Sequence, residues 1–230
     1  MKLKSFLEKF FLDGEILERV VSSINGEILV TENLLGRKEM KVGGVSQSGG
    51  LVEKLWNKGL KEVQRRKGTK VKRVLVLGLG GGTVTRLIFK KFPDCSMIGI
   101  EIDPKVIELG RKYFGLGEIP NLKIDIGDAI DLIRNSSLWL HHPNFDLTIV
   151  DLYLGQEFPQ EAERDEFLKG LKKVMAKDGL IIFNRLYFGR HKKETAQFKE
   201  KLTQFFPYLV NREIDYNLLV LASLEAQKKV

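Results

Sequence analysis

The chain has 230 residues, of which 43% are hydrophobic and 30% are charged, and its formal net charge is +8. This length suits one α/β domain with a small additional region and excludes two large domains. No apolar run is long enough for a membrane helix, and the single cysteine, Cys95, excludes an internal disulfide and is a poor basis for a metal site. We expect a cytoplasmic protein with no membrane segment and no metal.

The positive charge is concentrated in two segments, residues 58–73 and 190–201. Clusters of lysine and arginine bind phosphate groups in nucleic-acid-binding proteins. No zinc-finger spacing and no aromatic RNA-binding motif accompanies these clusters, and solvated helix faces carry similar charge. We favour a solvated face and leave nucleic-acid binding open.

The first part of the chain predicts a small region that precedes the main domain. Residues 1–22 mix charged and apolar residues as an amphipathic helix does, without the features of a secretory signal. Two short runs, 27–32 and 38–42, predict a β-hairpin. Apolar residues at helical spacing follow from Leu51. The expected division is a helix and hairpin region over 1–60 and a main domain over 61–230.

From residue 73 the sequence alternates between strand and helix patterns. Strands are predicted over 73–77, 96–101, 121–124, 146–151, 179–184, 207–214 and 217–223, and helices over 83–92, 104–114, 127–134, 161–176 and 191–205. Such alternation predicts a mostly parallel sheet with helices on both faces. The last two strands are too close for a helical crossover, so they should form an antiparallel hairpin. This is the Rossmann-like, seven-stranded arrangement of class I methyltransferases.

The first strand of this series ends in clustered glycines, Gly78, Gly80, Gly81 and Gly82. Glycines at such a turn let the backbone approach a ligand closely, although any tight strand-to-helix turn uses them too. Glu101 ends the next strand, where a carboxylate can accept both hydroxyls of a ribose. Thr83 breaks the spacing typical of dinucleotide-binding proteins. We therefore predict a nucleoside-containing cofactor.

Two more acids follow predicted strands. Asp128 precedes Ala129 at the start of a helix, where it can accept from an adenine amino group while the next backbone amide meets a ring nitrogen. The alternative is a helix cap that needs no ligand. Asp151 ends the fourth strand, at the edge where doubly wound sheets bind ligands. We predict that it is catalytic and that it holds or deprotonates a substrate amine.

From about Gly26 to Ser223 the chain resembles the spermidine synthase-like proteins, a branch of the class I methyltransferase fold. The resemblance rests on residues 43–48, residues 78–82 (the glycine loop), residues 101–103, residues 127–129 and residues 146–151. It implies S-adenosylmethionine, or its decarboxylated form, as cofactor. Gln47 would contact the amino-acid end, Glu101 the ribose and Asp128 the adenine, with Asp151 in the catalytic acid position.

Three departures from the family pattern affect the chemistry. Aminopropyltransferases carry an aspartate where this chain has Gly81, a second acid where it has Leu154, and Y-H-E where it has Trp56-Asn57-Lys58. A polyamine pocket needs several carboxylates, because a buried ammonium without a partner is costly. We therefore place methyl transfer to a small-molecule acceptor first and aminopropyl transfer second. A non-catalytic nucleoside-binding or assembly protein and a homodimer stay open.

Overall fold

The computed structural model describes residues 14–68, 70–135 and 144–226. Eleven strands in these residues form two sheets. The first sheet is antiparallel and has four strands in sequence order, β1 (Glu15–Ser22), β2 (Gly26–Glu32), β3 (Lys38–Val42) and β4 (Val45–Gly49).

The helix predicted over residues 1–22 is wrong where the structure describes this segment. Residues 15–22 are β1, which pairs with β2, and residues 1–13 lie outside the described residues. The pairing register shifts between Ile16 and Glu18. Such a bulge breaks the alternation of a regular strand. Apolar residues therefore fall at 16, 17, 20 and 21, a spacing that imitates a helix face.

The hairpin predicted for the next two runs is confirmed as β2 and β3. The sequence analysis missed β4, whose residues include serine, glutamine and glycine and carry little strand propensity. Gly43 and Gly44 both have positive φ and make the turn that brings β4 against β3. These two glycines start a second hairpin.

The second sheet has seven strands, and its topology confirms the predicted fold class. The strands are β5 (Arg73–Leu77), β6 (Ser96–Glu101), β7 (Leu122–Ile126), β8 (Phe145–Val150), β9 (Met175–Leu186), β10 (Tyr208–Ile214) and β11 (Asn217–Ser223). Their order is β10-β11-β9-β8-β5-β6-β7. Strands β5 to β9 pair in parallel, and β11 pairs antiparallel with both β9 and β10.

The described helices lie close to their predicted positions. They are α1 (Gly50–Lys67), α2 (Thr83–Lys91), α3 (Pro104–Tyr113), α4 (Ala129–Arg134), α5 (Asp165–Val174) and α6 (His191–Leu202), with 3₁₀ turns at Leu116–Glu118 and Gln160–Glu163. The helix predicted over 161–176 is shorter than expected, because it starts with a 3₁₀ turn and β9 begins at Met175. Among the described helices, none has the length and apolarity needed to cross a membrane.

The interior strand β5 is buried on both faces and divides the core in two. Val74 and Val76 pack with α1 and α2, whereas Leu75 and Leu77 pack with α4, α5 and α6. A third cluster packs β2 and β3 against α3. Helix α1 runs without interruption across residue 60, and the division at 60/61 stays a prediction.

Ion pairs use part of the basic segment 58–73. Arg65 and Arg66 contact the buried carboxylate of Glu62, which also accepts from Arg212 on β10. Burial acts to raise the pKa of Glu62, but hydrogen bonds from Arg212 and Arg66 outweigh it and lower that pKa. Lys67 is buried against Asp178. These contacts tie α1 to the sheet and reduce the charge left for phosphate binding.

We expect Glu62→Ala to lower the free energy of unfolding by roughly 2–4 kcal/mol, because it leaves the buried side chain of Arg66 without a counter-charge. Urea unfolding at pH 7 measures this loss. Asp94→Ala, which removes an exposed pair with Lys72, is the control and should change little. Since the folded pKa of Glu62 lies below its ordinary 4.5, the difference should shrink as the pH falls below that value. An equal loss in both variants would contradict this account.

Candidate functional site

A cavity of about 330 Å³ lies at the carboxyl ends of β5, β6, β7 and β8. Open α/β sheets bind ligands at this edge, beside the point where the strand order reverses. Most of the predicted site residues line it, namely Gln47, Gly78, Gly80, Glu101, Asp128, Ala129 and Asp151. Gly81 and Gly82 do not. The fold thus brings together side chains from widely separated parts of the chain.

The glycine loop passes very close to the backbone after β8. Gly78 has φ +83°, and a Cβ there would lie 2.2 Å from the carbonyl oxygen of Asp151. Gly82 has φ +90°, and a Cβ would lie 2.5 Å from a Leu116 methyl group. Both positions therefore require glycine. Gly82 shapes the loop from behind the cavity.

The loop is also tied to the four-stranded sheet. The backbone N–H of Gly81 donates to Ser48 Oγ at 2.7 Å, and the N–H of Gly49 donates to Thr83 Oγ1 at 2.9 Å. Each hydroxyl accepts one bond and keeps its own hydrogen to donate. Ser48 and Thr83 both line the cavity. The loop end of the cavity therefore presents hydroxyl donors and the N-terminus of α2.

The carboxylate of Glu101 is held in place by backbone donors. Its oxygens accept from the N–H of Gly80 at 2.8 Å and the N–H of Asp103 at 3.1 Å. Burial raises the pKa of Glu101, and these hydrogen bonds oppose the rise. Each oxygen of a carboxylate has a further acceptor site. Glu101 can thus accept two ligand hydroxyls without leaving its position.

Asp103 caps helix α3. Its side chain accepts from the N–H of Lys105 at 2.9 Å, in the first turn of α3. The other oxygen accepts from Ser22 and, at 2.7 Å, from Asn25 Nδ2, in the turn between β1 and β2. This buried carboxylate joins the four-stranded sheet to the main sheet beside the cavity.

Asp128 is both a helix cap and a cavity residue. Its Oδ1 accepts from the N–H of Ile130 at 2.7 Å at the start of α4. The side chain is exposed and, with Ala129, lines the cavity near Glu101. The two interpretations of Asp128 are therefore compatible, because the cap occupies one oxygen and leaves the other for a ligand.

Asp151 receives hydrogen bonds from two elements. Asn184 Nδ2 on β9 donates to Oδ1 at 2.7 Å, and Trp56 Nε1 on α1 donates to Oδ2 at 3.2 Å. The side-chain oxygen Oδ1 of Asn184 accepts from Asn217 Nδ2 at 2.9 Å, which fixes the orientation of its amide. Burial raises the pKa of Asp151 to about 6, although both donors favour the ionised form. The group therefore titrates just below neutral pH.

A second cavity, of about 380 Å³, meets the first at Asp151. Both cavities are lined by Gln47, Val52, Asp151 and Tyr153. The second cavity extends under the β10–β11 hairpin, and most of its wall is apolar. Two ligands in the two cavities would therefore meet beside one carboxylate.

The loop after β8 lies over this junction. The Tyr153 hydroxyl accepts from the N–H of Leu186 at 2.7 Å and donates to the backbone carbonyl of Asn184 at 3.3 Å. Burial raises the pKa of Tyr153, so it stays a neutral donor. Gln47 Nε2 donates to the Gly155 carbonyl at 3.4 Å. These bonds anchor the loop to β9 and β4.

Several residues of the site were missed from the sequence. Trp56 was noted only as a departure from the family pattern, although its indole contacts the central carboxylate. Ser48 and Thr83 gave no signal, because their role depends on how β4 docks on the loop. Asn217 contributes through the antiparallel pairing of β11 with β9, which places it beside Asn184. Spacing along the chain does not reveal such contacts.

Residues 55–215 match the spermine/spermidine synthase domain family. The chain belongs to this family. One relative is the polyamine aminopropyltransferase of Vibrio vulnificus, 26% identical over 63% of this chain and 48% of that protein. Another is the eEF1A lysine and N-terminal methyltransferase of Mus musculus, 28% identical over 68% of this chain and 23% of that protein. The chain thus spans half or less of these relatives.

Solved structures share the fold. Spermidine synthase from Thermotoga maritima superposes with a TM-score of 0.73 at 20% identity, over 94% of this chain and 75% of that one. Human methyltransferase-like protein 13 in complex with SAH gives 0.66 at 24% identity, over 78% and 84%. The family match over residues 55–215 confirms the resemblance of the sequence to spermidine synthase-like proteins.

We expect Gly78→Ala to lower the free energy of unfolding by at least about 2 kcal/mol, since the methyl group meets the Asp151 carbonyl and φ is left-handed. Gly117→Ala is the control, because φ is ordinary there and the nearest heavy atom to a new Cβ is 3.8 Å away. Chemical unfolding of both variants gives the comparison. A Gly78→Ala protein as stable as the control would show that the loop does not pack as described.

Proposed function

We propose that this protein transfers a methyl group from S-adenosylmethionine to an amine nitrogen bound at Asp151. The observation that carries the proposal is the junction of two cavities at this carboxylate. The names of the relatives specify polyamine, lysine and N-terminal chemistry, all of which is amine chemistry. The first cavity would hold the cofactor and the second the acceptor.

The adenosine end of the first cavity fits a nucleoside. Glu101 has one acceptor site left on each oxygen for the ribose hydroxyls. Asp128 and the backbone N–H of Ala129 would meet the edge of the adenine. Hydrogen bonds to an ionised carboxylate are stronger than those between neutral groups, so Glu101 would contribute most to affinity.

The loop end of the first cavity supports intact S-adenosylmethionine over the decarboxylated form. This chain has Gly81 where aminopropyltransferases carry an aspartate for the cofactor ammonium. The hydroxyls of Ser48 and Thr83 are available as donors. The N-terminus of α2 adds a positive partial charge. Together with the Gln47 amide, these groups suit a carboxylate better than an isolated ammonium.

The bound cofactor would supply a methyl group on a positively charged sulfur. As the new N–C bond forms, the C–S bond breaks and its electron pair stays on sulfur. Asp151 would hold the acceptor ammonium in line and take one proton from it before this step, because the nitrogen needs a free electron pair to form the new bond. Trp56 and Asn184 would keep the carboxylate in place during this step. Positioning and exclusion of water contribute most of the acceleration in such a site.

Aminopropyl transfer is the second candidate, and the family match supports it. Both reactions use an amine acceptor and differ in the cofactor. The proposal also retains three expectations from the sequence. These are a cytoplasmic location, a homodimer through the N-terminal sheet, and, less favoured, contact of the exposed basic residues with nucleic acid.

We expect S-adenosylmethionine to bind at least about tenfold more tightly than its decarboxylated form, because the loop end offers donors and no acid. Isothermal titration calorimetry with each compound measures the ratio. Tighter binding of the decarboxylated form would favour aminopropyl transfer. Failure of both to bind would favour a non-catalytic protein.

In the same titration, Glu101→Gln should weaken binding by roughly tenfold or more, since a charged acceptor for the ribose is lost. Glu108→Gln, an exposed change on α3, is the matched control and should bind like the wild type. Equal affinities of all three proteins would contradict the assignment of Glu101.

We expect kcat/KM to rise with pH around a midpoint of about 6, because Asp151 must be ionised to hold a cation and accept a proton. Initial rates from pH 5 to 8 test this. Asp151→Asn should remove the inflection and lower the rate by about a hundredfold or more. Asp125→Asn, a half-buried change near the end of β7 and outside both cavities, should keep the wild-type profile. A wild-type profile that is flat across pH 6 would contradict this role.

A further inference from the structure

The second cavity has a mostly apolar wall and few charged side chains. Its apolar wall includes Leu51, Leu55, Leu186, Phe188 and Ile214. The only charged side chains that line it, within the described residues, are Asp151 and Asp215. Without a lysine or arginine, the cavity gives no counter-charge to an acceptor carboxylate or phosphate. It therefore suits a cation with an apolar body.

The two acids of the second cavity are not equivalent. Asp151 is held by neutral donors and keeps its charge for a ligand. Asp215 lies in the β10–β11 turn and pairs with Lys54 of α1, with Nζ 3.0 Å from Oδ2 and 3.2 Å from Oδ1. The lysine neutralises the second acid. One uncompensated carboxylate remains.

We infer that the second cavity selects acceptors with a single amine on an apolar stem, and that the Lys54–Asp215 ion pair disfavours diamines. The second ammonium of a diamine would lie against apolar side chains and meet an acid already paired with lysine. This desolvation is unfavourable. The inference rests on the proposed amine acceptor, and Lys54 acts in it as a specificity residue.

Two kinds of acceptor carry a single amine on an apolar stem. One is a free alkylamine, and the other is the lysine side chain of a polypeptide. Methylation of free pentylamine identifies the first kind. Methylation confined to lysine in an unstructured polypeptide identifies the second.

The test compares two amines of equal length, pentylamine and 1,5-diaminopentane, with radiolabelled S-adenosylmethionine at pH 8. We expect the wild type to prefer pentylamine in kcat/KM. Lys54→Met frees Asp215 and should shift the ratio toward the diamine by roughly two- to fivefold, the range of an exposed ion pair. Lys58→Met removes the same charge one turn later on α1, at an exposed position outside the cavity, and should leave the ratio unchanged.

A binding measurement separates this inference from the proposed function. The sequence contains 2 tryptophans, Trp56 and Trp139, so Trp139→Phe leaves the fluorescence of Trp56 beside Asp151. Each amine is titrated into this variant, with and without Lys54→Met, in the presence of S-adenosylhomocysteine. If the variant binds the monoamine more tightly than the diamine, and Lys54→Met reduces this preference, the inference is supported. This holds even if no methyl group is transferred. The absence of methyl transfer would overturn the proposed function alone.

Three results would overturn the inference. The first is equal use and equal binding of the two amines by the wild type. The second is a ratio that Lys54→Met leaves unchanged. The third is the same shift in Lys58→Met, which would attribute the effect to net charge. Methylation of both amines without preference would overturn the inference and leave the proposed function standing.

Discussion

The site depends on a half-buried carboxylate that three separate elements hold in one position. Asp151 follows β8, and its two oxygens take hydrogen bonds from α1 and β9. The asparagine on β9 is itself oriented by β11. A carboxylate removed from water needs such donors to stay ionised near neutral pH. The same contacts determine where the two cavities meet.

The glycine loop makes this arrangement compact. Gly78 lets the loop approach the backbone of Asp151 to a distance that a side chain would prevent. Because the loop after β5 and the loop after β8 are in contact, their ligands can be in contact too. Close approach of this kind is what a transfer reaction between two bound molecules needs.

The four-stranded sheet takes part in the site as well as in the fold. Through Ser48 it binds the glycine loop, and through Asn25 it binds the cap of α3. It also supplies Gln47 to both cavities. The polar groups at the loop end of the first cavity are therefore set by the docking of one sheet on the other.

Much of the main domain could be predicted from the sequence, because its signals are local. Apolar runs that end in glycines or acids identify β5, β6 and β8, and the short link at Asp215 requires a hairpin. The segment of β1 was misread because a bulge imitates helical spacing. β4 was missed because its residues favour no single structure.

The sequence by itself determined the fold class and the acids at the strand ends, since periodicity and turn chemistry act over a few neighbouring residues. The tertiary structure alone decided which groups surround those acids. Trp56, Asn184 and Asn217 converge on Asp151 from distant parts of the chain, and Lys54 reaches Asp215 across 161 residues. Such contacts depend on how helices and sheets pack, because long-range packing has no period along the chain.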